Sequence, residues 1–234
     1  MNEEFTVLGG DYDSILGAVT RQAQAAGKPV PMVVKGGIAT GKQATARDEA
    51  MRRINQIDDK LIVKGLAEGR LALVDSRYYF VQDIAAATQV KMIKNDDKKS
   101  TGLTNVAQAR LDTGTWFMLT GMSLRTGLYP TSIAHIKETV FDLKALTTIA
   151  CESSVANGDF EFRINGGKHV LPKDTSCSIF CSGRTDQPLG YYQLDSPKWI
   201  KPDAEMFFDI NLAFAGTALT ACRLELFGMS VVVF

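Results

Sequence analysis

The residues best placed to do chemistry lie in Val33-Val-Lys-Gly36-Gly-Ile-Ala-Thr-Gly41-Lys42-Gln43. A short apolar run precedes Gly36, four residues separate it from Gly41-Lys42, and helical periodicity begins directly afterwards. Such spacing suits a phosphate-binding loop, in which backbone N–H groups and a helix N-terminus cradle phosphates while the lysine neutralises their charge. Leu71-Ala-Leu-Val-Asp75 adds the apolar run ending in Asp that positions magnesium in such sites. Three features oppose this reading. Gln43 replaces the Ser or Thr hydroxyl that would reach the metal. The run Val30 to Val34, with Pro29 beside it and Pro31 within it, is very short. Only about 110 residues precede an antiparallel region, whereas a phosphate-loop domain needs parallel strands joined by crossovers, ~30 residues per unit. A flexible glycine loop ahead of a helix is the preferred reading of Gly36 to Lys42, with nucleotide binding as the alternative.

Other candidates carry less. His135 and His169 are the only histidines, far apart, with no Ser or Cys elbow near either. His169 follows Gly166-Gly-Lys and is expected on a solvent-facing hairpin strand. Asp203, Glu205 and Asp209 could form a calcium site or an acid/base pair. Asp209, however, sits between Phe208 and Ile210, so alternation makes it the exposed face of a strand. Cys151, Cys177, Cys181 and Cys222 stand among apolar or strand residues and read as buried, reduced thiols. Cys177 and Cys181 would share one side of a strand, and no second Cys/His pair at finger spacing completes a zinc site. The lysines of Lys94 to Gly102 are offset by Asp96 and Asp97, so this loop is a solvated surface and no strong nucleic-acid signal. Trp116, Phe117, Trp199, Phe207 and Phe208 read as core or interface aromatics. No catalytic, cofactor-binding or metal residue is assigned.

The elements that must position these groups change character near Asp112-Thr-Gly114. Before it the chain is rich in Ala, Gln, Lys, Arg and Asp and poor in aromatics. A short helix is expected from Asp13 or Ser14 to about Gly27. A longer one is expected from Gln43 to Glu68, with Met51, Ile54, Ile57, Leu61 and Ile62 on one face and a break before Leu71 at Gly65 or Gly69. Leu71 to Phe80 looks like a strand, Asp83 to Ile93 like an Ala-rich helix, and Leu103 to Leu111 like a short helix. Thr115 to Arg125 is the first long strand, bulged at Gly121. Ser132 to Leu143 is ambiguous between helix and strand, and Ala145 to Cys151 reads as strand. Phe160, Phe162 and Ile164 then alternate with Glu161 and Arg163. Cys177 to Cys181, Tyr191 to Leu194, Met206 to Phe214 and Cys222 to Phe234 follow at short intervals. Seven to nine such elements suffice for two packed antiparallel sheets. The apolar tail Val231 to Phe234 lacks a guarding charge and is expected to be paired or covered. The fold class is therefore α+β, with a helix-rich region over 1–111 and an antiparallel β-sandwich over 112–234.

Composition sets the outer bounds. At 234 residues and 25.5 kDa the chain can bury a core without disulfide or metal. Twenty-six basic and 26 acidic residues leave no net charge, so no global field draws it to nucleic acid or anionic membrane, and little opposes self-association. The acidic start, Met1-Asn-Glu-Glu-Phe5, lacks signal-peptide form, and no apolar run approaches the ~18 residues of a membrane helix.

Four pieces of the second half together resemble virion proteins of the jelly-roll type, especially capsid proteins of bacterial viruses. They are Leu119-Thr-Gly-Met-Ser-Leu-Arg-Thr-Gly127, Asn157-Gly-Asp-Phe-Glu-Phe-Arg-Ile-Asn-Gly-Gly167, Leu194 to Pro202 leading into Met206 to Leu212, and Cys222-Arg-Leu-Glu-Leu-Phe-Gly228. The likeness covers about half the chain. It implies a jelly-roll-like sandwich in a non-enzymatic, shell-forming or shell-decorating protein without cofactors. Its partners would be copies of itself, commonly as trimers, and other virion proteins, with assembly in the host cytoplasm. A ligand- or glycan-binding sandwich using Gly166 to His169 or Arg184 to Gly190 is a further alternative.

Overall fold

The computed structural model describes residues 46–128, 151–164, 167–181 and 187–233, all within one compact unit that runs from Ala44 to Phe234. Gly36 to Lys42, His135, Ser132 to Leu143 and the helix expected from residue 13 lie outside the described residues.

Two sheets form the body. The longer contains β1 (Leu71–Asp83), β9 (Thr220–Val233), β3 (Phe117–Leu128) and β7 (Tyr191–Ile200), neighbours in that order. The shorter runs β2 (Gln89–Lys91), β8 (Met206–Asn211), β4 (Asp159–Ile164) and β5 (Lys168–His169), with β6 (Thr175–Ser176) also on β4. Every pairing among these nine strands is antiparallel. β1 pairs with β9, β2 with β8, β3 with β7, and β4 with both β5 and β6; β9 then also pairs with β3, and β8 with β4. The result is a β-rich, sandwich-like fold.

Alternation explains why these residues pack in two layers. Phe160, Phe162 and Ile164 on β4 and Met206, Phe208 and Ile210 on β8 turn inward. They meet Phe80, Phe117, Leu119, Met122, Leu124, Leu224 and Leu226 of the long sheet in one buried cluster. Phe160 stacks on Phe208 with centroids 5.0 Å apart, and Phe162 tilts against the same ring. Burying each such ring contributes roughly 2–3 kcal/mol. The bulge expected at Gly121 is present, since register shifts between Leu119 and Gly121 against both β7 and β9. Thr120 there turns its hydroxyl to the Phe227 carbonyl at 3.1 Å. A Cβ on Gly121 would sit 2.3 Å from the Tyr191 hydroxyl oxygen, so any larger residue at the bulge would have to push that ring aside. The apolar tail is paired as expected: Leu71, Ala72 and Leu73 oppose Val233, Val232 and Val231.

The helix expected over Gln43 to Glu68 is instead two short ones, α1 (Ala46–Arg52) and α2 (Lys60–Ala67), with a 3-10 turn, Ile54–Gln56, between them. Asp59 starts α2 afresh by accepting from the Leu61 N–H at 2.9 Å. The break shifts the helical phase: Ile54, Ile57 and Ile62 pack on the long sheet, while Met51 and Leu61 face solvent. Gly69, at φ +72°, ends this region ahead of Leu71 as expected.

Three further expectations are corrected. Asp83 to Ile93 is not helical: the Asp83 carboxylate accepts from the Ala85 N–H, Ala86 adopts φ 55°, and β2 follows. Leu103 to Leu111 is turns and bridges, with Gln108 and Ala109 at φ 53° and 55°. Its polar groups cover the edge of β1 instead. The Leu103 carbonyl accepts from the Val81 N–H, and the Asn105 amide bonds both Tyr79 and Arg77. Cys177–Cys181 is a 3-10 helix, in which Cys177 and Phe180 turn inward and Cys181 outward. Both sheets draw on strands from either side of residue 111, with β1 and β2 before it and the other strands after.

Candidate functional site

The outward face of the long sheet carries two unlike zones. Toward one end Leu73, Met118, Met229 and Val231 lie beneath α1 and α2 with Trp116 and Trp199. The tryptophans meet edge-on at 6.5 Å, and the Trp199 indole N–H donates to the Arg53 carbonyl at 3.1 Å.

Toward the other end, β9 places Arg223, Glu225 and Phe227 on the same face at period two, beside Arg77 and Tyr79 of β1 and Ser123 and Arg125 of β3. The Glu225 carboxylate is 1% exposed and receives three guanidinium groups. Arg125 Nη2 donates to Oε2, Arg223 donates to Oε1 through Nη2 at 3.0 Å and Nε at 3.2 Å, and Arg77 Nη1 lies 3.9 Å from Oε1. Arg223 also rests over Tyr79 at 4.7 Å and Arg77 over Phe227 at 4.5 Å, while Tyr191 packs edge-on against Phe227. Burial pushes the Tyr191 phenol above its ordinary pKa. One carboxylate against three arginines leaves the zone cationic, and Arg77, 59% exposed, is its most accessible charge. Guanidinium groups do not release protons and the carboxylate is saturated, so this constellation does not suit acid–base work. It suits the recognition of a carboxylate or other anionic group and the stacking of flat apolar surface, the composition of an interface centre.

The short sheet presents a smaller charged ladder. Glu161 and Asp209 oppose each other across β4 and β8, and Arg163 reconciles them from 3.4 Å to each while lying over Phe207. Beside this ladder a cleft of about 360 Å³ is lined by Lys91, Lys94, Asp96, Arg163, Phe207 and Asp209. A second, about 410 Å³, shares Asp96 and reaches Gln82, Asp97 and Ser100. No family model matches the chain. No curated protein matches it either.

The candidates read from sequence scatter. Asp75 is exposed on antiparallel β1, opposite Met229, not at the end of a parallel strand. His169 is exposed on β5, as expected for a solvent-facing hairpin, with Nδ1 3.5 Å from Glu161. Asp203 accepts from Thr113, Glu205 from Asn95, and Asp209 pairs with Arg163, three different partners. Among the described residues, no group of three or more His, Cys, Asp or Glu could hold a metal ion. Lys94 and Lys99 are engaged locally, by Gln82 and Asp112. Trp116, Phe117, Trp199 and Phe208 are core aromatics as read, and Phe207 is half-buried. Among the described residues no helix is long and apolar enough to cross a membrane.

Two features escaped the sequence reading. The Arg/Glu cluster had a signal in Arg223-x-Glu225-x-Phe227, an outward-facing triplet whose partners on β1 and β3 only the register reveals. The cysteines were expected to be buried alike. All four are free thiols, but Cys181 is exposed, because the 3-10 turn sets it out of phase with Cys177.

Proposed function

We propose that this chain is a non-enzymatic virion structural protein, a jelly-roll sandwich that self-associates to build or decorate a capsid. The observation that carries the reading is the set of strand pairs. A jelly roll is an antiparallel ribbon, first strand against last and so inward, wound around a core into two sheets. Counting the short β5 and β6 as one position, the ribbon pairs are β1 with β9, β2 with β8, β3 with β7, and β4 with β5 and β6. Winding adds β9 to β3 and β8 to β4, which are the remaining pairings.

Fold alone does not assign work, since jelly rolls also serve as lectins and as metal-holding barrels. The interior favours a structural role: Phe80, Phe117, Phe160, Phe162, Phe180 and Phe208 fill it, each at most 1% exposed. A rigid plate of this kind offers edges and outer faces for contact, and the Arg77–Glu225–Phe227 zone has the make-up of a contact centre.

Light scattering and electron microscopy of the purified protein over a concentration series test this. Discrete oligomers or shells are expected, and Arg77→Glu should weaken them at least tenfold in concentration. A monomer that persists at millimolar concentration, or turnover of a substrate, would overturn it.

A further inference from the structure

The zone around Glu225 holds more hydrogen-bond donors than acceptors. Ser123 Oγ and Arg125 Nε are both buried, and neither has a hydrogen-bond partner among the described residues. Ser123 is 2% exposed and stands between Glu225 and Tyr191, its direct neighbours across the sheet. A buried donor without an acceptor costs stability until a partner supplies one. Charge points the same way. Three guanidinium groups against one carboxylate leave +2, and Arg125 and Arg223 already occupy both oxygens of Glu225. The chain as a whole is neutral, so the residues outside this zone carry −2 between them. One copy's zone therefore repels the same zone on another copy and attracts the remainder. Asp75, Asp96 and Asp195 are exposed there and form no ion pair with a described residue. Resting on the reading of this chain as self-associating, we propose that the zone receives a carboxylate from a different surface of a second copy, seated against Arg77, Arg125 and Ser123.

The division of work follows from how each group is held. Arg77 is the least engaged cation, 59% exposed, 3.9 Å from Glu225 and lying over the Phe227 ring. Its planar fork can take both oxygens of an incoming carboxylate, and the rings around it exclude water from the pair. Ser123 Oγ and Arg125 Nε are covered in the single chain, so the entering group reaches them only by displacing a side chain beside them. Tyr191, directly opposite Ser123 across the β3–β7 pair, is one such neighbour. A contact between unlike surfaces also limits the form of the assembly. It joins copies head to tail into a ring or an open string or, about a two-fold axis, closes a dimer that contains it twice.

Arg77→Lys supplies the test, because it keeps the charge and adds an amine that a carbodiimide couples to a carboxylate touching it. Isotope-labelled and unlabelled full-length chains of this variant are mixed, treated and mapped by mass spectrometry. A link between position 77 of one chain and an Asp or Glu of the other is expected. Changing that acid to lysine should weaken association at least tenfold, as should Arg77→Glu. The two reversed variants mixed should associate where each alone stays apart, since every contact then pairs opposite charges again. Ser123→Ala should weaken association several-fold while the melting temperature of the single chain holds or rises, because the alanine leaves no donor without an acceptor. The proposal fails if position 77 couples only within its own chain, if the mixture restores nothing, or if Ser123→Ala leaves association unchanged. It also fails if inorganic phosphate occupies the zone of the single chain and no link to a partner forms, which would make a free anion the ligand. Wild-type association that persists through these negative results leaves self-assembly standing and removes this contact alone. A wild-type chain that stays monomeric at millimolar concentration removes both.

Discussion

The two zones on the outside of the long sheet share strands, backbone and alternation, yet solve opposite problems. Where α1 and α2 lie over it, β9 offers Met229 and Val231 and the sheet is held by apolar contact with Trp116 and Trp199. A few residues away the same strand offers Arg223 and Glu225, and a nearly inaccessible carboxylate survives because three arginines surround it. The first arrangement stabilises in proportion to the area removed from water. The second roughly cancels desolvation against attraction, so its product is specificity more than stability. Covering a sheet with its own helices spends that face on folding. Dressing it in guanidinium groups and rings leaves it available to something else.

Perturbing each zone in turn sharpens the contrast. Trp199→Ala should cost most, about 4 kcal/mol in chemical denaturation, through lost volume and the lost bond to Arg53. A cost below about 1 kcal/mol would mean that the helices are not docked there. Glu225→Ala should cost about 3 kcal/mol, because it strands three guanidinium groups that share one partner. If it proved neutral, the cationic zone would be hydrated, and the two ends of the sheet would differ less than their burial implies. Arg77→Ala, at an exposed position, should change stability by less than about 1 kcal/mol while weakening association.

A pH series between 7 and 9 supplies the baseline. Here the unfolded chain holds more protons at Cys181 than the folded one, so stability should rise with pH across this window. That contribution is lost as pH falls through about 7. Above pH 9 the raised values of Cys151, Cys177 and Cys222 reverse the trend, since unfolding then releases their protons. Because neither zone contains these thiols, Trp199→Ala and Arg77→Ala should keep the wild-type slope. A variant that changed it would couple its zone to the cysteines.

Long strands were legible where alternation was strong. Phe160, Phe162 and Ile164 announced β4, Thr115 to Arg125 announced β3 with its bulge, and Cys222 onward announced β9. What failed were segments whose side chains bond their own backbone. Ala85-Ala-Ala87 has helical composition, but the Asp83 carboxylate captures the Ala85 N–H and Ala86 goes left-handed, which no propensity scale weighs. Cys177-Ser-Ile-Phe-Cys181 alternates like a strand, yet it buries positions three apart, as a 3-10 turn requires. The Arg/Glu cluster was hidden for a different reason. Arg77, Arg125 and Glu225 belong to three strands, and only their register makes them neighbours.

One feature of the topology bears on how the molecule comes to exist. β9 lies between β1 and β3, and those two strands meet only through it. Leu71 must find Val233, and Asp83 must find Ala221, before β1 gains its strand partner. Closing so wide a loop is slow, so refolding should take milliseconds to seconds, not microseconds. Until it closes, β1 and β3 each stand with bare hydrogen-bonding edges, and a crowded solution offers β9 strands from other molecules to fill the gap. The yield of correctly folded chains should therefore fall as concentration during refolding rises.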